Sequence, residues 1–337
     1  MKKKLVSIFA FLMAVTALRA ADTLDVYVID TEGGKALIVQ PPGGESMLVD
    51  AGFPTKDGRD TKRIVAAAQA IGIKQFDYIL CTHYDGDHVA NITNVDVQIP
   101  GRVFVDHGEL LPTATVPSDQ RDYASYLKMI GSRKRMSVKP GDIIPLKGVD
   151  ITVVTSGGEV LSKPLPGAGQ PNEFGADAKP EPIDNWDNAG SVGLLYQFGK
   201  FRMLDLADLL QLVECKLMCP TNLVGSVDLF MVSHHGLKLS NSKMLVHAIH
   251  PKAAIMNNGS RKGGDAQTLD TLRSSPGLPD IWQAHFSLSA ADKNAPADFI
   301  ANPKDPCEGK MIKVSAQRDG TFTVTNQRND FSKTYKP

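Results

Sequence analysis

The chain has 337 residues, 42% apolar and 22% charged, with 37 basic against 37 acidic side chains. That length suits one large layered domain with insertions, and the balance excludes both a disordered chain and the basic surface of a general nucleic-acid binder. Four scattered cysteines exclude a disulfide scaffold and a Cys-rich zinc fold.

Lys2-Lys3-Lys4 followed by the apolar run Leu5 to Leu18 predicts a secretory signal over residues 1–20, cut after Ala17 or Ala20. The run is shorter than the ~20 residues that span a bilayer. The mature chain, 21–337, is therefore expected to be secreted or periplasmic, a single domain with no membrane span. Losing Lys2, Lys3, Lys4 and Arg19 leaves it four charges acidic. Charge thus gives no indication of a nucleic-acid partner, and Arg133-Lys134-Arg135 reads as a solvated turn.

Short apolar runs, Leu24 to Ile29, Ala36 to Val39 and Met47 to Val49, separated by Gly-rich turns, predict strands. Thr61 to Ile71 has helical spacing and stops at Gly72, and Phe76 to Thr82 returns to strand. A variable stretch, 91–148, holds one helix around Tyr123 to Ile130. Val149 to Thr155 is a strand, and the Gly- and Pro-rich loop 157–182 is expected to be mobile or to rim an active site. Ser191 to Phe198 and Phe201 to Leu206 form a hairpin, followed by a helix from Asp208 to Met218. Asp228 to Val232 and Ala253 to Met256 are strands, Ala266 to Leu272 a helix, and Met311 to Ala316 with Thr321 to Thr325 a terminal hairpin. Cys215 and Cys219 stand i, i+4 in the helix, with Cys307 a competing disulfide partner; spacing does not choose between them.

The chemistry concentrates in Cys81-Thr82-His83-Tyr84-Asp85-Gly86-Asp87-His88, directly after an apolar strand. Two imidazoles and two carboxylates this close raise one another's ionisation cost, and a divalent cation removes it. A second pair, His234-His235, follows another apolar strand.

With Asp30-Thr31-Glu32-Gly33-Gly34, Leu48-Val49-Asp50-Ala51-Gly52, Ser191-Val192-Gly193-Leu194, Arg202 to Asp208 and Ser233-His234-His235-Gly236, these motifs resemble the metallo-β-lactamase fold hydrolases. The branch they resemble is the hydrolase domain of ComEC-type competence proteins. The resemblance implies an α/β fold, a four-layer αββα sandwich with metals at one edge. It implies His83 and Asp85 as ligands of one metal, Asp87 and His88 of the other, Asp208 as the bridging carboxylate, and His235, with His234 as the alternative, closing the second site. His234 is then a phosphate contact or general acid. Asp87 and His234 are the residues expected nearest the chemistry. The implied cofactor is Zn²⁺, one or two ions, with Mn²⁺ as the alternative because Asp85 stands where many relatives carry a second His.

One position departs from the family. Where a third-motif His is usual the chain has Thr155-Ser156-Gly157-Gly158, so a His at 155 is expected to strengthen the first site if that strand end faces the metal. His107 could substitute for the third-motif His by folding in, but a satisfied surface residue is the expectation, and His247, His250 and His285 are expected to be structural. Three carboxylates against two divalent ions leave about one positive charge, which favours an anionic phosphodiester and a metal-bound hydroxide, since a metal lowers the pKa of water from 15.7 to about 7. The expected function is a metal-dependent hydrolase of a phosphodiester in a nucleic acid, a teichoic-type polymer or a lipid headgroup. Alternatives are a lactone, thioester or β-lactam hydrolase, or a non-catalytic metal- or nucleic-acid-binding relative.

Overall fold

Strands buried on both faces need apolar residues at nearly every position, and the first three have them: β1 (Leu24–Val28), β2 (Leu37–Gln40) and β3 (Met47–Val49). They pair antiparallel in sequence order. The computed structural model describes residues 22–175, 179–182 and 184–337; the expected leader, 1–20, lies outside them. Helix α1 (Arg59–Ala70) buries Ile64, Val65, Ala67 and Ala68 along one face and returns the chain to β4 (Phe76–Leu80), parallel to β3. Two more crossovers follow, α2 (Ile92–Gln98) to β5 (Gly101–Asp106) and α3 (Pro117–Ile130) to β6 (Lys134–Ser137). Of these the sequence reading foresaw only the end of α3. With only seven residues, α2 is too short for apolar periodicity to register.

The second sheet collects β7 (Ile143–Ile144), β8 (Asp150–Ser156), the short β9 (Glu159–Val160), β10 (Gly193–Phe198) and β11 (Phe201–Asp205). It continues through β12 (Leu229–Met231), β13 (Ala253–Met256), β14 (Asp280–His285) and β15 (Ile300–Asn302), all parallel to β11. Its helices are α4 (Gln211–Met218), α5 (Lys243–Val246) and α6 (Ala266–Arg273). The expected helix from Asp208 starts three residues later, which leaves Asp208 in the loop after β11.

The terminal hairpin is instead three antiparallel strands, β16 (Ile312–Ala316), β17 (Phe322–Asn326) and β18 (Phe331–Tyr335). They extend the first sheet by pairing β16 with β1. Among the described residues each sheet has nine strands.

Three apolar clusters define the layers. One fills the space between the sheets, with Val26, Leu37, Val105, Ile151, Phe201, Trp282 and Phe322. A second packs α4 to α6 on the outer face of one sheet, and a third packs α1 to α3 on the outer face of the other. This is the αββα sandwich that the resemblance implied. The four cysteines are free, so neither of the candidate pairings forms. Among the described residues no helix is long and apolar enough to cross a membrane.

Candidate metal centre

The carboxyl ends of β3, β4, β11, β12 and β13 meet at one edge, and every motif singled out for metal chemistry sits in the loops that leave them. After β4, the loop is stitched to its neighbours through backbone: Lys35 N–H donates to the Asp87 carbonyl (3.1 Å) and Ala51 N–H to the His88 carbonyl (2.9 Å). Asp50, with φ +58°, accepts hydrogen bonds from Thr82 N–H and Oγ1, both at 2.8 Å, and its Oδ2 lies 2.9 Å from His88 Nδ1. A carboxylate behind an imidazole fixes its tautomer and its aim, and here it turns His88 Nε2 into the cluster.

Around Nε2 stand Asp208 Oδ2 at 3.2 Å, His235 Nε2 at 3.3 Å and Asp87 Oδ2 at 3.4 Å. His235 Nε2 is 3.0 Å from Asp87 and 3.2 Å from Asp208, and its Nδ1 is held by Asn257. One donor atom from each of Asp87, His88, Asp208 and His235 falls within 4.8 Å of the others, and all four residues are buried. Burial disfavours charge on Asp87, yet Lys262 and His88 hold its carboxyl well below the usual range. Asp208, equally buried, is held down by His235, His88 and His234. Burial also works against a charged His88, but Asp208, Asp50 and Asp87 push its imidazole well above its ordinary value. Within the cluster, imidazoles and Lys262 offset the buried carboxylates. The donor set therefore fits a divalent cation.

Beside this cluster lies a looser one. His83 Nε2 is 3.8 Å from Asp85 Oδ2, and the His83 and His88 rings are 4.1 Å apart. His83 Nε2 and Asp208 Oδ1 are buried with no hydrogen-bond partner. Two orphaned donors at one edge are costly unless something binds them, so this side too fits a cation. His234 is not in the four-residue cluster. Its Nδ1 is 3.2 Å from Ser240 Oγ and its Nε2 3.7 Å from Asp208 Oδ2.

Thr155 commits its side chain to the strand junction. Its Oγ1 donates to the Ser191 carbonyl and accepts from Gly193 N–H, both at 2.9 Å. A Cβ on Gly193 would lie 2.4 Å from that oxygen, so the strand junction has no room for a larger residue. His107 is a correction: it is buried, with Nε2 2.8 Å from Asp187 Oδ2, rather than a surface residue. Asp187 N–H in turn points to Asp119 Oδ2 (3.1 Å) and Asp85 Oδ1 (3.3 Å). Burial, with Asp85 next in effect, pushes the Asp119 carboxyl up to about 8.

Sequence reasoning missed Asp119, in the first turn of α3, and Asp187, in the short turn before β10, single carboxylates with no spacing signal. It also missed Lys262, whose ammonium pairs with Asp87. The Gly263-Gly264 pair after it was the only hint; a Cβ at 263 would meet the His235 carbonyl at 2.1 Å.

Residues 28–171 match the family model described as the metallo-beta-lactamase superfamily. That domain includes His83 to His88 and ends before Asp208 and His235. No curated protein matches the chain. Among solved structures, the chain is similar to a metallo-β-lactamase with a HARLDQ motif from Cronobacter sakazakii, at 14% identity and a TM-score of 0.34. That match covers 57% of this chain and 64% of the other, less than two thirds of its length. A metallo hydrolase from the archaeon Ignicoccus hospitalis is similar at 10% identity and a TM-score of 0.42, over 77% and 94% of the two chains. A subclass B3 metallo-β-lactamase from a soil metagenome library is similar at 12% identity and a TM-score of 0.37, over 78% of each.

Proposed function

We propose that the protein is an exported metal-dependent hydrolase of phosphodiesters, with Asp87, His88, Asp208 and His235 holding one ion and His83, Asp85 and Asp208 contributing to a second. The observation that carries this reading is the convergence of four buried donors within 4.8 Å beside two unpartnered ones. A divalent ion held there supplies a Lewis acid for the scissile ester and lowers the pKa of water.

The protein's own residues do the rest. Asp50 and Asn257 orient the two inner imidazoles. His234, steadied by Ser240, presents Nε2 where it can hydrogen-bond a phosphoryl oxygen. Lys262, whose side chain is 36% exposed, brings a positive charge to the rim, where its ammonium would face a substrate anion if an ion took its place on Asp87. A cavity of about 330 Å³ shares Ser240, the residue bonded to His234, and is lined by Lys179, Lys238 and Lys243 with no acidic residue. That lining favours an anionic substrate over a neutral lactone. Export rests on Lys2 to Lys4 and the apolar run behind them.

The test is turnover of bis-p-nitrophenyl phosphate against nitrocefin and a simple lactone, with Zn²⁺ or Mn²⁺ added and bound metal counted by elemental analysis. Phosphodiester turnover is expected, with Lys262→Ala raising KM about tenfold at nearly unchanged kcat. Turnover of the carbonyl substrates alone would move the chemistry to acyl hydrolysis. No turnover of any substrate under full metal loading would make the protein a binding relative.

A further inference from the structure

A second cluster of donors lies away from the metal edge, where three distant segments meet. Asp30 follows β1, His285 ends β14, and Cys307 sits in the loop between β15 and β16. One donor atom from each falls within 4.8 Å of the others. Asp30 and His285 are each 1% exposed. Asp30 Oδ1 is 2.6 Å from His285 Nε2, and Cys307 Sγ is 3.3 Å from Asp30 Oδ2 and 3.5 Å from Glu32 Oε1. We propose that Asp30, His285 and Cys307, with Glu32 as fourth donor, form a thiolate-containing site for a borderline-soft divalent cation such as Zn²⁺.

The charges support this. Ionised Asp30, Glu32 and Cys307 bring three negative charges. Arg63, which bonds Asp30 Oδ2 at 2.8 Å, Glu32 Oε1 at 3.1 Å and Cys307 Sγ at 3.4 Å, supplies one positive charge, and Arg59, paired with Glu32 at 2.5 Å, is itself offset by Asp60 at 2.6 Å. A divalent ion makes up the balance. His285 Nδ1 is also buried with no hydrogen-bond partner, so one ring nitrogen stays open to an ion. Binding forms a metal–nitrogen bond to the His285 imidazole and a metal–sulfur bond to the Cys307 thiolate, any proton on those atoms leaving to solvent.

Thiolate with imidazole selects zinc-like ions over magnesium or calcium. The Asp30–His285 contact must open, because two ligands about 2.0–2.2 Å from one ion stand farther apart than a hydrogen bond. Access exists: Cys307 lines a surface cavity of about 310 Å³ with Pro306, Glu308 and Lys310.

The metal edge offers no thiol among its donors, so spectroscopy separates the two sites. Co²⁺ titrated into the apo protein is expected to give a near-ultraviolet thiolate-to-cobalt charge-transfer band. That band should persist in Asp208→Asn and vanish in Cys307→Ser, with one bound ion lost. A band that survives Cys307→Ser, or none in the wild type, overturns the proposal and leaves the metal edge untouched. A measurement that needs no variant guards against misfolding: Zn²⁺ should slow alkylation of Cys307 by iodoacetamide at least about tenfold, since the thiolate is both nucleophile and ligand. Equal alkylation with and without Zn²⁺ also overturns it.

Discussion

At the scale of single residues, the metal edge separates donors from the groups that aim them. Asp208 touches both clusters, through Oδ2 on one side and an unpartnered Oδ1 on the other. Asp208→Asn is therefore expected to weaken metal retention on the order of 100-fold or more, and Asp85→Asn less. Calorimetric titration of the apo protein with Zn²⁺ checks this; equal losses would refute the inequality. Asp50 touches only His88 and Thr82, so Asp50→Asn should cost about 10–100-fold in affinity without removing a donor. Thr155→His, which the motif pattern suggests as a gain of a ligand, should instead lower stability by about 1–3 kcal/mol by breaking two buried hydrogen bonds, with no rise in bound metal; denaturant unfolding and elemental analysis decide. The sequence exposed the donors because they come in short motifs. It hid Asp119, Asp187 and Lys262 because long-range folding alone brings them to the edge.

Among the elements, Asp30 ties the turn after β1 to the end of β14. The folded state holds the His285 proton more tightly than the unfolded chain, whose imidazole titrates near 6.5. That stabilisation is complete below pH 6.5 and declines as pH rises to about 9. It should amount to about 1–3 kcal/mol, measured as denaturant midpoints in chelator across that window, and Asp30→Asn should flatten the profile. The longer elements, α1 and the strands β4, β8, β10, β11, β13, β16 and β17, were legible from apolar run length and period. Others, β5, β6, β14 and β15 among them, were not read, and for α2 and β18 the reason is plain: α2 is seven residues long, and β18 alternates intermediate and exposed positions at a sheet edge, so neither writes an apolar signature.

For the whole molecule, the two nine-stranded sheets share one interior, and the last three strands are part of it. Phe322, Val324 and Tyr335 pack into the cluster between the sheets, and β16 covers the edge of β1. Deleting residues 311–337 would strip those side chains from the core and expose an unpaired strand edge, a template for aggregation. Such a truncation is expected to yield insoluble protein, where loss of a mobile tail would leave Tm unchanged; expression and thermal melting distinguish the two.

Left-handed backbone at His234 and His235, φ +53° and +54°, limits what mutagenesis can say about this edge. Most L-residues are strained there, β-branched ones most of all, whereas Asn enters that region readily. An Asn scan of the two positions therefore isolates the loss of an imidazole, while Val or Ile at either one tests whether the turn still forms. Inactive variants of the second kind would carry no information about which histidine serves the reaction.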